Sequence, residues 1–178
     1  MEIEAKVRVE SLEGIKDKLL AMGARFREEE HNHDTYFIRK GEERATRRPG
    51  DFLLRIRKTG KKNFLTLKGL TEQTGAWEEY EVEISNPEEM TKILKRTGFT
   101  KLFTIVKDRT PGELNGFEVN LDRVRGMGNF LEVALQSENK QEARKRIMEL
   151  LNRLGFKESE IEHRGYAAMF SQSMRREK

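Results

Sequence analysis

The chain has 178 residues, in which 35 Lys and Arg stand against 31 Asp and Glu, giving a formal net charge of +4. That length fits one domain with a substantial core. Charged residues make up 37 % of the sequence, well above the roughly 25 % of an average globular protein. Because the chain has no Cys, disulfides, thiolate metal ligands and thiol nucleophiles are excluded.

The arrangement of these charges bears on location and partners. Basic and acidic residues alternate along the whole chain, so the basic balance does not indicate a nucleic-acid-binding patch. No apolar run approaches membrane-spanning length, and no basic leader followed by an apolar stretch opens the sequence. We therefore expect a cytoplasmic protein that binds neither nucleic acid nor membrane. The composition, rich in Lys and Glu, is also typical of proteins from thermophiles.

The N-terminal segment predicts a strand followed by a helix. Residues 2–9 alternate between charged and apolar side chains, as in a strand with one buried face. Ser11 then caps a helix with an apolar stripe, and Gly23 ends that helix in the left-handed conformation.

The same order of strand, cap, helix and glycine occurs twice more. The later helices are predicted to begin and end, respectively, at Asn86-Pro87 and Gly98, and at Ser137 and Gly155. Three such units favour a single α+β domain, which we place at residues 1–172, with residues 173–178 as a frayed tail.

Further strands are predicted between these units. Their approximate limits are residues 25–33, 52–58, 63–68, 77–84, 102–109, 117–124 and 131–135. Clusters of Gly, Pro and polar residues predict loops at residues 41–50, 71–75 and 111–116.

Nearly every predicted strand carries charges of one or both signs on a single face. The charged positions are Arg55, Arg57, Lys68, Glu79, Glu81, Glu83, Lys107, Arg109, Glu118, Asp122 and Glu132. One interpretation is an antiparallel sheet whose outer face is in water. The other is a sheet that closes on itself, so that the charged face lines a tunnel and the helices cover the apolar face. Charges pointing inward would need partners or a ligand.

Several motifs follow one another in a recognisable order. They are Glu2-x-Glu4-x-Lys6, Asp34-Thr35-Tyr36-Phe37, Leu54-Arg55-Ile56-Arg57, Leu65-Thr66-Leu67-Lys68-Gly69, Glu79-x-Glu81, Lys107-Asp108-Arg109, and the segment from Leu121-Asp122 through Gly126-x-Gly128-x-Phe130 to Glu132. This ordered set resembles the CYTH superfamily, which contains class IV adenylyl cyclases, thiamine triphosphatases and inorganic triphosphatases. The second and last motifs are most similar to the class IV cyclase branch.

The resemblance implies an eight-stranded antiparallel closed barrel, or tunnel, with helices packed outside. Such a tunnel binds a small-molecule triphosphate together with Mg²⁺ or Mn²⁺, which explains why one face needs both signs of charge. The implied metal ligands are Glu2, Glu4, Asp122 and Glu132. The implied phosphate-binding residues are Arg55, Arg57, Lys68, Lys107 and Arg109. Lys6 and Tyr36 match catalytic positions, and Glu79 and Glu81 match supporting acidic positions.

One position departs from the family pattern. Relatives commonly have Glu-x-Glu on the last tunnel strand, whereas this chain has Glu132-Val133-Ala134. Ala134 has no ligating atom, so the sequence leaves open whether one or two metal ions bind.

Three functions remain from the sequence. The main expectation is an enzyme like class IV adenylyl cyclase, which converts ATP to cyclic AMP and pyrophosphate. The alternatives are a triphosphatase and a non-catalytic polyphosphate- or nucleotide-binding module. His31 and His33 share a strand face but lack a third ligand, so we interpret them as ordinary polar residues. The pattern allows a homodimer without predicting one.

Overall fold

A computed structural model describes residues 2–42, 50–70 and 76–176. The elements in this part of the chain are β1 (Glu2–Val9), α1 (Leu12–Ala21), β2 (Arg25–Phe26), β3 (Glu30–Arg39), β4 (Phe52–Lys58), β5 (Asn63–Leu70), β6 (Ala76–Glu83), α2 (Pro87–Arg96), β7 (Phe99–Leu114), β8 (Phe117–Val124), β9 (Gly128–Gln136), α3 (Lys140–Arg153), a 3₁₀ turn (Glu158–Glu160), β10 (Ile161–Glu162) and α4 (Tyr166–Arg176).

The long strands form one antiparallel sheet that curls into a barrel. Its order is β1-β6-β5-β4-β3-β7-β8-β9, and β9 pairs again with β1. The β1–β9 pairing is eight residues long, from Glu2↔Gln136 to Val9↔Asn129. Among the described residues, β1 pairs with β6 only through Glu2 and Ile3. The predicted α+β fold, an antiparallel barrel with helices outside, is therefore confirmed, with its narrowest closure between β1 and β6.

Further along β1, the short strand β10 replaces β6 as the neighbouring strand. It pairs with Lys6 and Val7 on the edge of β1 that β6 no longer occupies. Because α4 follows β10 directly, its first residue, Tyr166, is carried into the gap and is buried there. The sequence reasoning had not predicted this helix.

Local sequence signals fix the first three helices as expected, with one correction. Ser11 and Asn86 are N-caps whose side chains accept backbone N–H bonds. The third helix is capped by Asn139, so the prediction that it begins at Ser137 was wrong by two residues. Each helix is followed by a glycine with φ near +90°, namely Gly23, Gly98 and Gly155.

Most of the apolar core lies outside the barrel. Alternate residues of β1, β8 and β9 point outward and are covered by α1 and α3, with Val7, Val119 and Leu131 fully buried. The smaller helix α2 covers β4 in the same way. The opposite face of each strand therefore lines the interior of the barrel, which we call the lumen.

Two predicted boundaries were wrong. The loop expected at residues 111–116 is mostly strand, because β7 runs to Leu114 and the turn is confined to Asn115 and Gly116, which have φ of 49° and 83°. Gly112 serves packing, since a Cβ there would lie 2.5 Å from the ring of Phe26. The strand expected at residues 25–33 is two strands, and the second extends to Arg39.

Residues 43–49 of the loop predicted at 41–50, and the whole of the loop predicted at 71–75, lie outside the described residues. Within the described residues no helix is long and apolar enough to cross a membrane. The domain limits of residues 1–172, with a frayed tail at 173–178, stay a prediction.

Candidate active site

The charged residues predicted from the motifs converge on the lumen. All except Glu81 are buried or half-buried there, which supports the tunnel interpretation over a sheet with a solvated charged face. They are Glu2, Glu4, Lys6, Arg55, Arg57, Lys68, Glu79, Glu81, Lys107, Arg109, Asp122 and Glu132. Cations and carboxylates neutralise each other in pairs, as buried charges require.

Lys6 lies between two carboxylates. Its Nζ is 2.9 Å from Glu4 Oε1 and 3.4 Å from Glu132 Oε2, and the side chain is fully buried. Burial alone would lower the pKa of Lys6, but the two carboxylates outweigh it and raise this pKa above its ordinary value. Lys6 is therefore an ammonium group that donates hydrogen bonds and does not accept a proton.

Asp122 is the centre of the most densely bonded group. Both of its oxygens accept from Arg109, at 2.7 and 2.6 Å, in the bidentate geometry that Arg and carboxylate share. Oδ2 also accepts from the hydroxyl of Tyr166 at 2.7 Å and lies 3.5 Å from Nζ of Lys107. Burial would raise the pKa of Asp122, but Arg109 and Lys107 lower it. Arg109 reaches on to Glu132 at 2.7 Å.

Lys107 lies close to other cations of the lumen. Burial lowers the pKa of Lys107 to about 8, and Arg109 and Arg57 add to the shift while Asp122 opposes it. Three cations therefore repel one another in this part of the lumen. A polyanion that binds among them would relieve that repulsion.

A second group surrounds the two arginines of β4. Arg57 donates two hydrogen bonds of 2.7 Å to Asp34. Arg55 donates to Glu79 at 3.0 Å and Glu81 at 3.1 Å, and also to Thr66. Burial would raise the pKa of Asp34, but Arg57, Arg55 and Lys107 together outweigh burial and hold this pKa well below its ordinary range.

At the barrel seam, acidic groups crowd around Glu2. Burial raises the pKa of Glu2 to about 8, with Lys68 opposing the shift. The neighbouring carboxylates of Glu4, Glu79 and Glu132 contribute to the same rise of this pKa. Lys68 itself is 2.8 Å from Glu79.

The structure adds two residues that the motif reasoning had not assigned to the site. Asp34 belongs to the Asp-Thr-Tyr-Phe motif, but the motif reasoning gave it no role. Asp34 and Arg57 lie opposite each other on neighbouring strands, so their side chains point to the same face of the sheet. Tyr166 carried no motif signal. Its ring lies under two ammonium groups, with Lys6 Nζ 5.1 Å and Lys107 Nζ 4.9 Å from the centroid.

Two other predicted positions have different surroundings. Tyr36 is buried, and its ring packs 5.3 Å from that of Phe103; burial raises the pKa of its hydroxyl. Its catalytic role stays a prediction. His31 pairs with Asp108 on the exposed outer face of the barrel, away from the lumen.

The family implies a divalent metal, and the lumen residues supply suitable oxygen donors. Among the described residues no three acidic or imidazole side chains already form a metal-binding group, because cations hold carboxylates such as Glu4 and Glu132. The crowding at Glu2 shows that these carboxylates lie close enough to oppose one another's ionisation. A hard divalent cation would stabilise the ionised forms, so the residues fit such an ion once they exchange partners.

Comparisons with known proteins agree with this geometry. The family model of the CYTH domain matches residues 1–166. The chain belongs to the CYTH family. A Methanocaldococcus jannaschii protein with a provisional adenylate cyclase name is 30 % identical over 171 residues, covering 93 % of this chain and 96 % of that protein. A solved structure from Pyrococcus horikoshii superposes with a TM-score of 0.82 at 34 % identity, covering 93 % of this chain and 97 % of that one.

A third comparison concerns the fold alone. A Hippeastrum protein with an adenylyl cyclase name, reported to have a dominant triphosphatase activity, superposes with a TM-score of 0.68 at 20 % identity. The alignment covers 97 % of this chain and 95 % of that protein. The fold is thus shared with a protein whose name refers to adenylyl cyclase and whose reported dominant activity is triphosphatase.

Proposed function

We propose that this CYTH protein binds an organic triphosphate in its lumen and acts on it with a divalent metal, most like a class IV adenylyl cyclase. The observation that carries the proposal is the convergence of five cationic side chains on one enclosed surface, namely Arg55, Arg57, Lys68, Lys107 and Arg109. The family and the cyclase name of the Methanocaldococcus relative support it.

The ion pairs of the lumen suggest how the ligand enters. Arg57 and Arg109 each hold a carboxylate through two parallel hydrogen bonds. Two oxygens of a phosphate group can accept the same pair of parallel hydrogen bonds from an arginine. Phosphate oxygens would therefore replace carboxylates as the hydrogen-bond partners of the cations. The released carboxylates would then be free to bind other groups in the lumen.

The released carboxylates then become available to a metal. Glu2, Glu4 and Glu132 would hold Mg²⁺ or Mn²⁺, which when bound polarises phosphate oxygens and neutralises their charge. For Asp122 the contacts favour a second role, the orientation of Arg109 before the ligand binds, while its predicted metal role remains a prediction.

In the cyclase reaction the ribose 3′-hydroxyl attacks the α-phosphorus and releases its proton to water, and the bond from that phosphorus to the pyrophosphate oxygen breaks. The arginines and lysines would hold the leaving pyrophosphate and stabilise the charge that develops on it. Lys6 would contribute as a fixed ammonium group because its pKa is raised.

Hydrolysis is the second candidate. The charges of the lumen do not distinguish attack by a ribose hydroxyl from attack by water, and the same fold carries a dominant triphosphatase activity in the Hippeastrum protein. The purified protein should be incubated with ATP and Mn²⁺ while cyclic AMP, pyrophosphate and orthophosphate are all measured. Cyclic AMP with pyrophosphate supports the cyclase, and orthophosphate supports the triphosphatase.

Matched variants connect the activity to the lumen. Arg57→Ala removes a proposed phosphate ligand and should abolish turnover. Lys62→Ala removes an exposed lysine that pairs with Glu83 on the surface and should leave turnover unchanged. If ATP, thiamine triphosphate and tripolyphosphate all fail as substrates yet stabilise the fold, the protein is a non-catalytic binding module. If they also fail to bind, the proposed function is refuted.

A further inference from the structure

One buried polar side chain of the lumen has no hydrogen-bond partner among the residues that the structure describes. Asn32 on β3 is fully buried, and neither its amide nitrogen nor its amide oxygen makes a hydrogen bond. Because both atoms lack partners, exchanging their positions does not satisfy the side chain. Buried amides are nearly always hydrogen-bonded, since an unsatisfied one costs free energy.

The surroundings of Asn32 place it among the proposed phosphate-binding groups. It shares a strand face with Asp34, whose carboxylate holds Arg57 in the lumen, and its backbone lies opposite that of Lys107. The adjacent positions His31 and Asp108 pair on the exposed outer face, which confirms that Asn32 points inward. The side chain of Asn32 is as deeply buried as those of Lys6 and Asp122, which are also fully buried.

A second buried amide in the same barrel shows the usual arrangement. Asn120 on β8 also points into the lumen and is buried, but its nitrogen lies 3.5 Å from Glu132 Oε1 and donates to it. Within the described part of the chain, the fold therefore provides a partner for one lumen amide and none for the other. This contrast points to a bound molecule as the partner of Asn32.

The chemistry of an amide indicates which part of a ligand it contacts. Arg57 and Lys107 offer only hydrogen-bond donors, and these suit phosphate oxygens. Asn32 adds an acceptor oxygen beside a donor nitrogen. A phosphate chain that is fully ionised has no donor for that oxygen, whereas a ribose hydroxyl or a base amino group has one.

We infer that Asn32 is a specificity-determining residue that binds the organic part of the triphosphate, its amide oxygen accepting from a hydroxyl or amino group and its nitrogen donating to an adjacent oxygen. This inference rests on the proposed function, because it assigns a role within the same ligand. It predicts discrimination between an organic triphosphate and inorganic tripolyphosphate.

The test compares the affinities of ATP and tripolyphosphate by calorimetric titration in the presence of Mg²⁺, for the wild type and for Asn32→Leu. Leu keeps the approximate shape and removes both polar atoms. The affinity for ATP should fall about tenfold, which corresponds to one or two lost hydrogen bonds. The affinity for tripolyphosphate should change less than about twofold.

A stability measurement on the ligand-free proteins adds an independent readout. Removing an unsatisfied amide should leave the melting temperature of Asn32→Leu unchanged or higher, whereas Asn120→Leu, which removes a bonded amide, should lower it. If the leucine variant does not fold, Asn32→Ala removes the same atoms without added bulk and repeats the comparison.

The outcomes separate this inference from the proposed function. If Asn32→Leu loses the same affinity for both ligands, or loses none for either, the inferred role of Asn32 is overturned while triphosphate binding stands. Failure of the wild type to bind either ligand would refute the proposed function and the role of Asn32 with it. A loss of affinity confined to ATP supports both the role of Asn32 and the proposed function.

Discussion

Replacing Asp122 by asparagine should destabilise the ligand-free protein strongly, and a polyanion should restore much of the loss. Asp122 is fully buried and compensates Arg109 and Lys107 at 2.6 and 3.5 Å. The amide of the variant would retain one acceptor oxygen, but its NH₂ group would face donors that have lost their counter-charge. Removing one partner of a buried ion pair typically costs about 3–5 kcal/mol.

That loss of stability should be measurable as a fall in the melting temperature. For a chain of 178 residues, the typical unfolding entropy per residue converts 3–5 kcal/mol into a fall in melting temperature of about 8–13 °C. Since the pKa of Asp122 is lowered in the folded protein, its stabilisation is present above its ordinary pKa and is lost as the pH falls towards the folded value. The difference between wild type and Asp122→Asn should therefore be full at pH 7 and shrink in acid.

Differential scanning calorimetry with and without tripolyphosphate measures both effects, with guanidinium added if the wild type melts too high. Glu83→Gln is the matched control, because Glu83 pairs with Lys62 on the surface, where both side chains are more than half exposed. Such a pair contributes less than about 1 kcal/mol. Two results would refute the interpretation that the charges of the lumen form an anion-binding site. One is a melting temperature of Asp122→Asn equal to that of the control, and the other is a stabilisation of Asp122→Asn by tripolyphosphate no larger than that of the wild type.

Three further variants test other contacts of the lumen. Tyr166→Phe removes the hydroxyl that donates to Asp122 at 2.7 Å and keeps the ring under the lysines, so the free energy of unfolding should fall by about 1–2 kcal/mol; an unchanged denaturation midpoint would contradict this. Arg109→Lys keeps the charge but loses bidentate binding, so calorimetry should show at least about tenfold weaker tripolyphosphate binding; equal affinities would argue against a direct contact. Burial raises the pKa of Glu2 from its ordinary value of 4.5 to about 8, so the folded protein binds the extra proton and wild-type stability falls as the pH rises through that window. Glu2→Gln should therefore gain in melting temperature relative to the wild type as the pH rises from about 4.5 to about 8, and a constant difference across that range would contradict the shift.

The sequence predicted the lumen well because alternation along a strand decides which face a side chain occupies. The i, i+2 spacing of Arg55 and Arg57, and of Lys107 and Arg109, was enough to place each pair on one face. The order of the motifs then identified the barrel. Propensity failed at Gly112, where the residue that suggested a turn serves a close contact with Phe26 inside a strand.

Contacts between distant segments were beyond the reach of pattern reasoning. Tyr166 enters the lumen because β10 takes an edge of β1 that β6 leaves free, and no local signal around Tyr166 reveals that pairing. The absence of a partner for Asn32 is likewise a property of the packed barrel. Its position on the inward face was readable from its spacing to Asp34, but its lack of a hydrogen bond was not.

The contact of Tyr166 with Asp122 and Lys6 also has a consequence for biosynthesis. These groups come from β1, β8 and the start of α4, so they lie far apart along the chain. A ribosome builds the barrel strands and the outer helices first, and a nascent chain that has not yet reached Tyr166 holds Asp122 without its hydroxyl partner and Lys6 and Lys107 without the ring beneath them. The lumen therefore acquires its final charge arrangement only once Tyr166 has been synthesised, after the barrel strands and most of the outer helices are already present.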